Sequence, residues 1–162
     1  MRNEKKKIDR VLIAGTNSGC GKTTVTLAVL AALKKRGVSV ASAKSGPDYI
    51  DPMFHRSALG VSSTNLDPFF FDENTLRFLL AKHGAGKELT VIEGVMGYYD
   101  GFSMASERAS SHEVAHALKA PAVLVINGHG MALSAAAVVH GFMSLRKDSG
   151  VCGVILNQIS PM

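Results

Sequence analysis

Short apolar runs alternate with longer amphipathic stretches along this chain. Val11–Ala14 is apolar throughout and stops at Gly15, the pattern of a buried strand entering a turn. From Lys22 to Arg36, Val25, Leu27, Ala28, Leu30, Ala31 and Leu33 recur at helical spacing. Lys34, Lys35 and Arg36 suit the negative end of a helix dipole, and Gly37 ends the helix. Val38–Ala43 predicts a second strand, Ser45–Pro52 an irregular loop, and the residues after it a short helix ending near Gly60. Glu73–His83 places Leu76, Leu79 and Leu80 on one helical face. Leu89–Ile92 reads as a third strand, residues 94–108 as a Gly- and Ser-rich loop, and Ser111–Leu118 as a helix. Pro121–Ile126 is a fourth strand, Met131–Leu145 a long helix and Val151–Leu156 a fifth strand.

Strands alternating with helices predict an α/β domain with a parallel sheet covered by helices on both faces. Ligands of such sheets bind beyond the carboxyl ends of the strands. The loops to inspect are therefore 15–22, 44–52, 93–101 and 127–131. The chain reaches Met162 just past a strand of buried character, where a doubly wound domain ordinarily continues to another helix. A truncated domain is expected, with residues 1–9 as a basic tail and 10–162 as the domain.

Composition adds a core and a charge. The 162 residues are 46% hydrophobic, enough for one domain to bury a core. Trp is absent and aromatics make up only 6%, so Phe69–Phe71 are expected either to fill core volume or to meet a partner. The net charge of +5 is concentrated early, at Arg2, Lys5, Lys6, Lys7 and Arg10. No basic face interleaved with aromatics follows, so nucleic acid is not an expected partner, whereas an anionic ligand suits the charge. Neither Cys20 nor Cys152 stands at metal-ligand spacing or in a disulfide framework, which fits a cytoplasmic location. No apolar run is long enough for a signal sequence or a membrane span.

The sharpest chemical signal is Gly15-Thr16-Asn17-Ser18-Gly19-Cys20-Gly21-Lys22-Thr23-Thr24. A glycine-rich turn between a strand and a helix presents backbone N–H groups to a phosphate, and the helix adds its positive end. Lys22 would reach the terminal phosphates and Thr23 would ligate Mg2+. Gly15 lies one residue further from Gly21-Lys22 than the common motif requires. The second element is Lys44-Ser-Gly-Pro-Asp48-Tyr-Ile-Asp51-Pro52. Asp48 and Asp51 at a strand end suit Mg2+ ligation or orientation of a nucleophile. Lys44 could offset an anionic oxygen there; the plain alternative is a pair of turns. The third element runs from Glu93 to Gly101. Glu93 ends an apolar strand where a second acid beside Mg2+ is expected, and Asp100-Gly101 is either a turn or a second functional acid. His112-Glu113-Val-Ala-His116 matches a zinc-helix spacing, but no third ligand is evident, so an ordinary polar helix face is the reading.

Together these segments resemble the N-terminal part of the cobyrinic acid a,c-diamide synthase family. The resemblance runs from Val11 onward. The stretch Gly46-Pro-Asp-Tyr-Ile-Asp-Pro52 carries it most specifically, helped by Asn65-Leu66-Asp67, Glu93-Gly-Val-Met-Gly97 and Gly153-Val-Ile-Leu-Asn157. It implies a P-loop NTPase-like fold and ATP-dependent amidation of the a and c carboxylates of cobyrinic acid through acyl phosphates. ATP and Mg2+ are the implied cofactors. The phosphate loop, Thr16 to Thr24, and Asn157 would contact the nucleotide, with Asn157 at the adenine. Thr23, Asp48 and Glu93 would stand on the Mg2+ side. Lys22 and Lys44 would neutralise the reacting anions, and Asp51 and Asp100 would orient ammonia or substrate.

In this family a glutaminase domain, normally on the same chain, releases the ammonia. No such segment is found here, so the fragment is not expected to hydrolyse glutamine. A homodimer is compatible with the resemblance. Alternatives are a dethiobiotin synthetase-like carboxylate-activating enzyme, a nickel-tetrapyrrole a,c-diamide synthase and, in another class, a partition-type nucleotide-switch ATPase. The last usually carries a second lysine where this loop has Asn17.

Overall fold

The computed structural model describes residues 8–103 and 106–159. Six strands form one sheet: β1 (Arg10–Gly15), β2 (Val40–Ser45), β3 (Ser63–Leu66), β4 (Leu89–Glu93), β5 (Ala122–Asn127) and β6 (Val151–Asn157). Their order is β3-β2-β4-β1-β5-β6, and every pairing is parallel. Among the described residues five helices connect them: α1 (Lys22–Lys35), α2 (Ile50–Leu59), α3 (Glu73–His83), α4 (Ser111–Leu118) and α5 (Ser134–Ser144). Parallel pairing sends all carboxyl ends to one edge. The loops after β1, β2 and β4, adjacent strands in the sheet, therefore meet there.

Side chains alternate across the sheet, as the pleat requires. Leu12, Ala14, Ile92, Leu124 and Ile126 face a core closed by Leu76 and Leu80 of α3 and Val114 and Leu118 of α4. Ile13, Val91 and Val125 face the opposite way, onto Leu30 of α1 and its neighbours Val25, Val29 and Leu33. Helices on both faces and a wholly parallel sheet agree with the expected fold class.

The differences from the sequence reading have local causes. Ser63-Thr-Asn-Leu66 is a strand that the apolar pattern does not show. It is short, largely polar and at the sheet edge, paired only with β2, so it needs no continuous apolar run. β2 runs on to Ser45, two residues beyond the expected end. Lys44 is thus a strand residue with 5% exposure. The expected loop 45–52 yields its last three residues to α2. Asp48 makes that early start workable, because its Oδ1 accepts the Ile50 N–H at 2.8 Å and approaches the Asp51 N–H at 3.4 Å. Pro52 lies in the first turn, where its missing donor costs nothing. α5 begins at Ser134 rather than Met131.

Phe69, Phe70 and Phe71 do not fill the core; they are 52%, 68% and 39% exposed, while Tyr98 is completely buried. Of the tail, residues 1–7 lie outside the described residues. Ile8 packs against the core, and the Asp9 carbonyl accepts the Thr90 N–H, so the ordered domain begins before Arg10. At the other end, the edge strand β6 leaves Cys152, Val154 and Leu156 exposed. Among the described residues no helix is long and apolar enough to cross a membrane.

Candidate nucleotide and carboxylate site

The loop after β1 wraps as a phosphate cradle. Gly21 takes φ 101°, in the left-handed region, and a Cβ there would lie 2.1 Å from the Asn157 amide nitrogen. Only glycine meets both demands. Asn157, at the end of β6, donates to the Cys20 carbonyl at 3.0 Å, so it braces the loop from beneath. The Lys22 ammonium rests on the Asn17 carbonyl at 2.9 Å. Burial, with Lys44 nearby, pulls its pKa below the ordinary lysine value against the raising effect of Cys20, Glu93 and Asp100. A phosphate entering the loop would supply a far better partner than that carbonyl.

Behind Lys22 lies a compact ionic cluster. Lys44 Nζ is 2.7 Å from Asp51 Oδ2, 3.0 Å from Glu93 Oε1 and 3.7 Å from Asp48 Oδ2. It also donates to the Gly94 carbonyl at 3.3 Å. Burial alone would lower its pKa; Glu93 and Asp51 overcome that and hold it above the usual lysine value. Thr23 Oγ1 donates to the same Glu93 oxygen at 2.6 Å. Glu93 is fully buried, which opposes ionisation. His55, Lys44 and Thr23 outweigh that and bring its pKa down to about 2. Lys44 joins β2, α2 and β4, and Thr23 ties α1 to the cluster through Glu93.

Two residues without a site role in the sequence reading take part. His55 is fully buried, with Nε2 facing Glu93 Oε2 at 3.5 Å. Its Nδ1 is 3.0 Å from Ser42 Oγ and 3.4 Å from Ser63 Oγ. The legible signal was its position four residues after Asp51 on a helix, which puts both on one face. Asn65 is the other. Its amide donates to the carbonyls of Gly46 at 3.0 Å and Asp48 at 2.7 Å, fixing the turn that carries Asp48. Being in β3, it could not be placed until that strand was known.

Asp100 stands apart from this cluster. It is exposed, and Oδ2 accepts the Gly97 N–H at 2.9 Å. The same loop is pinned to the phosphate loop by the Tyr98 N–H on the Gly15 carbonyl at 2.8 Å. A Cβ at Gly97 would come 2.8 Å from the Thr16 carbonyl oxygen. Asp100 thus shapes a loop that leans on the cradle.

The oxygens around Lys22 are hard donors, which fits Mg2+. Among the described residues no group of three or more His, Cys, Asp or Glu is arranged to hold a metal alone. Mg2+ ordinarily takes one or two protein oxygens and completes its shell with phosphate and water, and the Thr23 hydroxyl and the partly exposed Asp48 carboxylate are oxygens of that kind. His112 and His116 belong to no such group among the described residues. Nor is His112 on an open polar face: it is 8% exposed and packs against Tyr98 and Tyr99.

A family model described as CbiA, the CobQ/CobB/MinD/ParA nucleotide binding domain, matches residues 11–162. The chain belongs to this family. Cobyrinate a,c-diamide synthase of Listeria innocua is 44% identical over 154 residues, which cover 94% of this chain and 34% of that protein. The protein of the same name from Thermoplasma volcanium is 47% identical over 95% of this chain and 34% of its own length. The one from Methanothermobacter thermautotrophicus is 46% identical over 93% and 34%. The chain therefore spans about a third of the length of these relatives. The resemblance read from the sequence motifs is borne out.

Among solved structures, the signal recognition particle receptor FtsY of Elizabethkingia anophelis superposes with a TM-score of 0.66 at 14% identity, covering 92% of this chain and 50% of FtsY. Chloroplast FtsY of Physcomitrella patens gives 0.65 at 19%, covering 93% and 49%. These likenesses show the fold alone. Family membership makes the loop after β1 part of a nucleotide-binding domain.

Proposed function

We propose that this domain binds MgATP and activates the a and c carboxylates of cobyrinic acid as acyl phosphates, which ammonia then converts to primary amides. The observation that carries the reading is the buried Lys44 held between Glu93 and Asp51 beside the phosphate loop. The identity to proteins named cobyrinate a,c-diamide synthase supports it.

A carboxylate is a poor acyl donor, so activation must come first. The substrate carboxylate oxygen attacks the γ-phosphorus, the bond to the bridging oxygen breaks and ADP leaves. Ammonia adds to the acyl carbon, phosphate departs and nitrogen loses a proton. The difficulty is bringing two anions together. Lys22 and the backbone N–H groups of residues 16–24 bind the phosphates. Thr23 Oγ1 and Asp48 would hold Mg2+, which when bound offsets charge on the phosphate oxygens. Glu93, too deeply buried to reach solvent, orients the Thr23 hydroxyl. Lys44, buried among Asp51, Glu93 and Asp48, offsets their negative charge and fixes them beside the phosphate loop. Asp51 and Asp100 orient the amine or the substrate, and Asn157 steadies the loop at the nucleotide.

The test is to incubate the protein carrying this domain with MgATP, an ammonium salt and cobyrinic acid, and to weigh the tetrapyrrole by mass spectrometry. Ammonium makes the outcome independent of glutamine hydrolysis. Two carboxylates converted to amides are expected. ADP release driven instead by diaminopelargonate or a nickel tetrapyrrole would replace the substrate. ATP-dependent dimerisation with no carboxylate consumed would replace the reading with a nucleotide switch.

A further inference from the structure

An apolar pocket of about 290 Å³ opens beside the ionic cluster. Pro47, Phe69, Phe70, Met96 and Phe102 line it, with Asp67 as its acidic residue. Two of its walls continue directly into the site. Gly46 and Pro47 join Lys44 to Asp48, and Val95 and Met96 follow Gly94, whose carbonyl accepts from Lys44. The rings are organised as a surface: Phe69 meets Phe70 edge-on at 5.1 Å and Phe102 at 6.3 Å. They remain more than half exposed, an unusual use of aromatic area unless something covers it.

Asp67 supplies an independent pointer. It is 3% exposed. Oδ1 accepts the Phe69 N–H at 2.9 Å, but Oδ2 is buried with no hydrogen-bond partner. A buried polar atom left unpaired is costly, and a ligand donor would relieve it once the carboxylate turns toward the pocket. At the rim, the Arg108 guanidinium lies 5.9 Å from the Phe102 ring centre, placed to meet an anion. Met96 holds φ 45°, a left-handed conformation that residues with a side chain rarely adopt. The wall is thus kept in shape against local preference.

We infer that this pocket seats the apolar body of the carboxylate substrate, with Asp67 accepting an N–H or O–H of that body and Arg108 facing a peripheral anion. The inference deepens the proposed function and rests on it for the identity of the substrate. The pocket is separate from the nucleotide cradle, so the body can be held while its carboxylate points toward Lys22 and Lys44. The ligand class is a bulky, hydrocarbon-rich acid carrying at least one hydrogen-bond donor.

The test uses a probe of that class whose binding does not depend on the proposed reaction. 8-Anilinonaphthalene-1-sulfonate combines fused rings, an N–H and an anion. Its fluorescence titration is run on the parent, on Phe70→Ser, Phe102→Ser and Asp67→Asn, and on Leu156→Ser as a control on the exposed face of β6. Affinity is expected to fall about tenfold in each Phe variant, from lost apolar contact. It should fall several-fold in Asp67→Asn, which keeps the Oδ1 contact but turns an N–H toward the ligand's donor. Leu156→Ser should leave this component unchanged; ATP affinity should match the parent in all four, and melting temperature in the two Phe variants and Leu156→Ser. Cobyrinic acid should displace the probe competitively.

Probe binding indifferent to Phe70 and Phe102 would overturn the pocket. So would equal losses of probe and ATP affinity, which would mark the variants as structural. Probe binding that depends on both rings but resists cobyrinic acid, while yielding to another bulky acid, would leave the pocket standing and remove the proposed substrate.

Discussion

Replacing Glu93 with Gln removes a charge from the centre of the site while keeping the shape of the side chain. The carboxamide oxygen can still accept from Thr23 and Lys44, and its NH2 can face His55. The change therefore isolates electrostatics. In the parent, Glu93 titrates at about 2 against an ordinary 4.5, a gap worth about 3 kcal/mol of folding stability at neutral pH. The sign follows from which state holds the proton. A depressed folded pKa means the unfolded chain protonates first as pH falls. The contribution is complete above about pH 5 and shrinks below it.

About two-thirds of it, roughly 2 kcal/mol, is gone by pH 3. Urea unfolding of the nucleotide-free protein at pH 7, 5, 4 and 3 measures this directly. The parent is expected to lose about 2 kcal/mol more than Glu93→Gln between pH 7 and pH 3, with the gap opening below pH 5. Other acids titrate in both proteins and cancel in the difference. Parallel losses in the two proteins would refute the idea that Lys44, Thr23 and His55 hold Glu93 ionised.

Lys44→Met should destabilise the protein by about 3–5 kcal/mol, because it leaves Glu93 buried without its cation; thermal melts check this, and an unchanged midpoint would deny Lys44 its organising place. Gly21→Ala should lower ATP affinity at least tenfold, since it meets both a left-handed φ and the Asn157 amide; calorimetric titration with MgATP should show the loss while the melting temperature changes less. Leu12→Ala, in the fully buried centre of the sheet, should cost about 2–5 kcal/mol in urea unfolding with nucleotide affinity per folded molecule preserved.

The strands and helices around the site were legible wherever burial left a periodic mark. β1, β4 and β5 are central or near-central strands with apolar residues facing both cores, and each was readable as a mainly apolar run, broken in β4 only by Thr90. β3 was not, because an edge strand that contains Ser63, Thr64 and Asn65 can be polar and still pair along one side. Missing it also hid Asn65, whose amide ties the β2–α2 turn in place. His55 was overlooked for a related reason: its burial arises only when α2 folds over β2 and β3 and delivers the ring to Glu93.

The order of residues by itself determined the parallel α/β class, the phosphate loop between β1 and α1, and the acids at strand ends. Local chemistry is enough for these, since glycine spacing, apolar period and helix caps act within a few residues. Only the tertiary structure decided how those groups pair. The sheet order puts β2, β4 and β1 side by side, so that Lys44, Glu93 and Thr23, far apart along the chain, share one carboxylate oxygen. It also sent Asp100 to brace a loop, Asn157 to the back of the cradle and the phenylalanines to the rim of a pocket. Charge pairing and desolvation depend on distances of a few ångströms between distant segments, and those distances come into being only when the chain packs.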